Sequence, residues 1–158
     1  MSENYYNIDG VVIKSLEKYS DYRGWLVELF REDELPDGFN PAMSYISMTK
    51  PGETRGPHEH KEQIDYFCIL GPSTFSIYFW DNRLDSRTFK NRFKIKAGED
   101  NIIAIMVPPG VVHAYKNIGN NEGFIVNSPN RLYAGQGKKE LPDEIRYENQ
   151  PDNEFELF

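Results

Sequence analysis

The chain has 158 residues, the size of one ordinary domain with a sizeable core, and carries 25 Asp and Glu against 18 Lys and Arg, a net charge of −7. With no basic block to break the acidic average, nucleic acid and anionic membrane surfaces are excluded as partners, and no apolar run approaches the ~18 residues of a membrane span. The single Cys68 excludes a disulfide within the chain, and the first residues lack the charged-then-apolar pattern of a secretion signal, so a cytoplasmic protein is expected.

Strands are predicted over residues 11–16, 25–31, 43–49, 64–70, 74–80, 88–95, 102–107, 112–118 and 124–127, each rich in β-branched and aromatic residues and bounded by Gly, Pro, Asn or Asp. Residues 55–60 also read as a strand flanked by turns. Alternation of Phe75, Ile77 and Phe79 with Thr74, Ser76 and Tyr78 marks a sheet with one face in the core. Cys68, within the apolar run 66–70, reads as a small core hydrophobe rather than a nucleophile. Helical periodicity is confined to single turns over residues 31–35 and 138–141. Short strands at close spacing with Gly and Pro turns predict an all-β antiparallel sandwich or barrel. One unit over residues 1–158 is expected, with an arm at 1–10, a barrel at 11–133 and a C-terminal tail at 134–158 whose apolar end, Phe155, Leu157 and Phe158, should dock on the barrel or on a second subunit.

All three histidines, His58, His60 and His113, fall in two segments far apart in the chain. On an extended strand an H-x-H pair throws both imidazoles to one face, and a third ring from another strand would complete a site. A solitary H-x-H is more often surface decoration; the third histidine, set in a second turn-and-strand segment, favours a shared pocket. Pro108, Pro109 and Gly110 form a turn whatever the function, and Asn117 is suited to fixing a loop through its side chain.

His58-x-His60, then Asp65 where Glu is more usual, then Gly71, resembles the first motif of the cupin family of small β-barrels, and Pro108-x-Gly110-x-x-His113-x-x-x-Asn117 resembles the second. The resemblance implies a jelly roll, or double-stranded β-helix barrel. Asp21 to Phe30 is similar to the D-x-R-G-x-x-x-E-x-F opening of the dTDP-4-dehydrorhamnose 3,5-epimerases, a cupin branch. Arg55-Gly56-x-His58, the turn from Asp81 to Ser86 and the segment from Ile145 resemble further motifs of that branch. The resemblance implies an isomerase acting on a dTDP-linked 4-keto-6-deoxyhexose in surface polysaccharide or deoxysugar biosynthesis, without a cofactor, as a homodimer formed through N-terminal strand exchange. His58 then stands at the position of the base that removes a proton next to the ketone, with His113 and Arg55 contacting the sugar or its phosphates. Arg23 and Glu28 match residues at the nucleotide end, and Tyr133 matches an aromatic that stacks on the base.

The branch's lysine beside the enolate aligns with Asp65, its proton-returning tyrosine aligns with Asn127, which is kept as a substrate-binding candidate, and its aspartate behind the base has no counterpart. A carboxylate opposes a developing enolate, so a cation has to intervene. A divalent metal (Zn, Mn, Fe or Ni) on His58, His60, Asp65 and His113 would supply it, but a ligating His58 has no lone pair left to act as base. Tyr66, Tyr78 and Tyr115 are the candidates for the missing acid. Two other readings stay open at this point: a metal-dependent cupin isomerase or dioxygenase, and a cupin that binds a sugar nucleotide without chemistry.

Overall fold

The computed structural model describes residues 7–158. Two five-stranded antiparallel sheets face each other. The first has the order β1 (Val12–Ser15), β9 (Ile103–Val107), β6 (Asp65–Gly71), β11 (Gly123–Asn127), β4 (Tyr45–Thr49). The second runs β12 (Ile145–Arg146), β5 (Thr54–Glu59), β10 (Val111–Asn117), β7 (Thr74–Asp81), β8 (Arg92–Gly98). From β5 to β11 the chain crosses repeatedly between the two, the connectivity of a jelly roll. A separate hairpin, β2 (Lys18–Asp21) and β3 (Gly24–Val27), stands outside both sheets.

Period-two alternation builds three apolar layers. Between the sheets lie Phe67, Ile69, Phe75, Ile77, Phe79, Ile103, Ile105, Val107 and Ile125, each side chain contributing roughly 1.5–3 kcal/mol on burial. The reverse face of β6 and β9, carrying Tyr66, Cys68 and Ala104, is covered by Leu29, Leu35 and Phe39. Burial pushes the Cys68 thiol up to about 12, the inert core cysteine expected. The reverse face of the second sheet, with Tyr78, Trp80, Val112 and Ala114, is covered by Tyr147 and Phe155 of the C-terminal segment, so that segment docks on its own barrel. Tyr147 also donates to buried Glu59.

Several boundaries differ from the sequence expectation: the strand expected over 25–31 runs Gly24–Val27, and the one expected over 88–95 runs Arg92–Gly98. Ile8, placed in a free arm, is fully buried in the central layer, and Asp9 pairs with Arg87; residues 1–6 of that arm lie outside the described residues. The tail contributes β12, whose two residues pair with Glu59 and His58. The turn expected at 31–35 is a 3-10 turn at Glu32–Glu34; the one expected at 138–141 lies earlier, at Gln136–Lys138. Among the described residues no helix is long and apolar enough to cross a membrane.

Candidate active site

At one end of the barrel the inward-facing positions turn polar. Along β6 the inner face runs Ile69, Phe67, Asp65; along β11, Ile125, Asn127; β10 adds His113 and β5 adds His58, directly opposite in register. His60 follows just past the end of β5. A cleft of about 810 Å³ opens here, lined by Tyr45, Ser47, Arg55, His58, His60, Gln63, Tyr115 and Tyr133 among others.

The three imidazoles converge as the H-x-H spacing predicts. Ring centroids are 4.4 Å apart for His58 and His113 and 5.8 Å for His58 and His60, and one donor atom from each ring and from Asp65 falls within 4.8 Å of the rest. Gly56 makes the approach feasible. Its φ is +84°, and a Cβ there would lie 2.6 Å from the His113 carbonyl and 3.1 Å from His58 Nδ1.

The hydrogen bonds fix the tautomers. His113 Nδ1 donates to the Val111 carbonyl at 3.0 Å, and His60 Nδ1 donates to the Asp143 carbonyl. In the neutral rings each Nε2 is therefore a lone pair, that of His60 able to accept from the Gln63 amide at 3.2 Å and that of His113 without a donor, and the His113 and His60 nitrogens stand 3.2 and 3.1 Å from Asp65 Oδ2. Lone pairs facing a carboxylate repel. Without a proton on the nitrogen, Asp65 Oδ2 and His113 Nε2 have no hydrogen-bond partner although both are buried, so a proton or a cation belongs between them. For His60 the proton is favoured: burial alone would lower its pKa, but the hydrogen bond and charge of Asp65 outweigh it and raise it to about 9. Asp65, which burial would push up, is held well below the usual carboxylate range by hydrogen bonds from His113 and His60. His58 goes the other way. Burial first, then the neighbouring His113, hold its pKa well below that of a free imidazole.

Residues that sequence reasoning left unremarked support this cluster. Asp143, in the C-terminal segment, accepts three consecutive amide N–H groups, Lys61, Glu62 and Gln63, at 2.8–3.0 Å with its carboxylate while its own carbonyl holds His60. Asp143→Ala should lower the melting temperature by roughly 3–8 °C, the loss of about 1–3 kcal/mol of charge-assisted bonding; an unchanged melt would show that the clip carries no stability. Gln63 Nε2 donates to Asp65 Oδ1 at 2.8 Å.

Arg55 spans the two sheets, donating to Thr49 Oγ1 at 3.1 Å and the Met48 carbonyl at 2.9 Å from the cleft wall. Tyr133 lines the cleft and is half exposed. Three residues assigned by resemblance sit elsewhere. Arg23 and Glu28 lie outside this cleft: Arg23, on the turn of the β2–β3 hairpin, pairs with Asp21, and Glu28, just beyond β3, lies 3.6 Å from Arg31. Asn127 is fully buried behind the cleft wall, its amide shared among Asp65, Tyr45 and the Tyr66 N–H. Of the candidate acids, Tyr66 donates to the Leu29 carbonyl and Tyr78 lies on the reverse face of its sheet, so neither reaches the site; Tyr115 does, paired at 3.2 Å with Ser47. Asn117 fixes its loop, bonding Ser73, Thr49 and Asn121.

Comparison with known proteins points the same way. Residues 5–142 match the family model described as dTDP-4-dehydrorhamnose 3,5-epimerase. The chain is 41% identical over 142 residues to a probable low-salt glycan biosynthesis epimerase of Haloferax volcanii, covering 89% of this chain and 87% of that protein. It is 36% identical over 141 residues to a spore coat polysaccharide biosynthesis protein of Bacillus subtilis, covering 88% of each. In fold it is similar to a dTDP sugar isomerase from Desulfovibrio desulfuricans, with a TM-score of 0.80, 18% identity and coverage of 92% of this chain and 88% of that one.

Proposed function

The chain belongs to the dTDP-4-dehydrorhamnose 3,5-epimerase family, and from that membership we propose that it inverts a carbon next to the ketone of a dTDP-linked 4-keto-6-deoxyhexose during glycan or polysaccharide synthesis. The family is one of isomerases whose reaction needs no cofactor, which favours this reading over a dioxygenase or a non-catalytic binding protein. The observation that carries the site assignment is the convergence of three imidazoles and a buried carboxylate at the inner end of a cleft.

His58 is the base. Held neutral at pH 7, its ring nitrogen takes the proton from the carbon beside the ketone, and the C–H electron pair moves onto the carbonyl oxygen. The enolate needs a positive neighbour in a dry site. Here that neighbour is the His60 imidazolium, kept charged by Asp65, in place of the branch's lysine. The outer cleft, with Arg55, Tyr133 and Arg146, suits a phosphate-bearing nucleotide, since a guanidinium fork reads phosphate oxygens well. Deuterium from D2O should enter dTDP-4-keto-6-deoxyglucose but not dTDP-glucose, which has no ketone; label in neither would overturn the proposal.

The same donor set also fits a divalent cation. Two imidazole lone pairs and Asp65 Oδ2 converge with both Nδ1 atoms already committed, and His58 is the fourth candidate ligand. Such an ion, Zn, Mn, Fe or Ni by its donors, would polarise the ketone oxygen as a Lewis acid. Elemental analysis with a chelator series separates the two occupants: a proton-filled site keeps its rate after chelation, while stoichiometric metal and a chelator-dependent rate would displace the imidazolium.

Assembly as a homodimer is favoured by exposed Tyr19, Trp25 and Leu26 on the β2–β3 hairpin and by β4, an edge strand with Ile46 exposed. Light scattering should read two chains; a one-chain mass contradicts this. The acidic surface and the single buried free thiol fit a cytoplasmic setting; a variant tagged at its C-terminus and recovered outside the cell would oppose it.

A further inference from the structure

Inversion at carbon requires a proton to leave one face and another to arrive on the opposite face. With His58 on the second sheet, the donor has to come from the first, across the cleft. We propose that Tyr45 is that donor, a catalytic residue whose phenol protonates the enolate carbon from the β4 side; the inference rests on the epimerase reading above.

Three observations carry it. Tyr45 is in register with Asn127, so both project from the first sheet toward the interior, and Tyr45 lines the cleft together with His58. The second is the direction of its hydrogen bond. Asn127 Oδ1 accepts the Tyr66 N–H at 3.0 Å, which fixes the amide, and its NH2 then donates to Asp65 at 2.8 Å and to the Tyr45 oxygen at 3.0 Å. The phenol oxygen is therefore an acceptor in that contact, and its hydrogen is left to point at a ligand. Third, the other candidates are placed less well: Tyr115 springs from β10, the sheet that carries His58 and His113, and its phenol pairs with Ser47, Tyr133 lies in the outer cleft, and Tyr66 and Tyr78 face away. Burial pushes the Tyr45 phenol up to about 12, so it keeps its proton at neutral pH.

In the step, the O–H bond of Tyr45 breaks as a C–H bond forms at the enolate carbon, and the enolate electrons return the C=O bond. The phenolate regains a proton from water in the open cleft while His58 releases the one it took. No oxidant or co-reactant is needed.

The test separates exchange from inversion. In D2O with dTDP-4-keto-6-deoxyglucose, Tyr45→Phe should slow inversion roughly 100-fold or more, while deuterium uptake with retained configuration, catalysed by His58, stays within about tenfold of the parent enzyme. Tyr78→Phe, on the reverse face of the second sheet, should leave inversion within about threefold of the parent. Inversion undiminished in Tyr45→Phe, or exchange and inversion falling in equal proportion, would overturn the assignment while leaving the epimerase reading intact. If the parent protein takes up no label, the epimerase reading fails and this inference with it. Should Tyr45→Phe fail to fold or to bind dTDP, a fluorinated tyrosine at position 45 serves. It should change inversion but not exchange, and no change in either would count against Tyr45.

Discussion

Replacing His58 by asparagine is expected to lower deuterium exchange and epimerisation together, by roughly 10³-fold, with dTDP binding retained; general-base removal costs ~10²–10⁴-fold. Asparagine preserves much of the ring's polarity and volume but has no basic nitrogen, so His113 and Gly56 keep their neighbour and only the proton acceptor is lost. The pH profile checks the same assignment independently. A base whose pKa is depressed by burial stays neutral to lower pH than a free imidazole, so the acid limb of kcat/KM should fall below pH ~6.5. The imidazolium at His60 is lost as pH rises through about 9, which places the basic limb there. Loss of binding in His58→Asn, with exchange per bound complex unchanged, would make His58 a contact rather than a base.

Asp65→Asn is expected to cut kcat by roughly 10²-fold while the protein still folds. On the proposed mechanism the carboxylate keeps a proton on His60 Nε2, whereas an amide in the same place can donate to that lone pair instead. Its oxygen can still accept from Asn127 and Gln63, which now bond Oδ1 at 2.8 Å each. His60 should then titrate at or below ~6.5 rather than near 9, read by the pH dependence of its ring resonances. A variant with full activity would show that no imidazolium supports the enolate. A variant with lost activity but an unmoved His60 titration would put the effect elsewhere.

The sheets were legible because both the alternation and the punctuation are local. Phe75, Ile77 and Phe79 point inward as their spacing requires, and the histidine spacing brings the rings to one face. The β2 strand was missed because Lys18–Asp21 is polar and pairs only with β3, so no buried face imprints a pattern on it. β12 has two residues, too few for any periodicity. Asp143 leaves no sequence signal at all, since its partners are main-chain amides about 80 residues away. Tyr45 did leave one. On β4 the residues registered with the interior are Tyr45, Ser47 and Thr49, while Ile46 faces out, so the polar side is the inner one. An inverted alternation of that kind marks a strand that walls a site rather than a core.

Asp65 shows how far a resemblance carries. It gave the position where a lysine is replaced, but not that Asp65 is fully buried, nor that it faces two Nε2 atoms whose rings are turned by carbonyls of Val111 and Asp143. Those contacts call for a positive charge, a proton or a cation, between Asp65 and the two rings.

The most direct measurement uses dTDP-4-keto-6-deoxyglucose deuterated at both carbons flanking the ketone and follows the label in H2O by mass spectrometry. Deuterium should leave at least one of the two carbons as epimer forms, in the parent protein but not in His58→Asn. Epimer formed with both labels retained, or label loss equally fast without His58, would contradict proton removal by that imidazole.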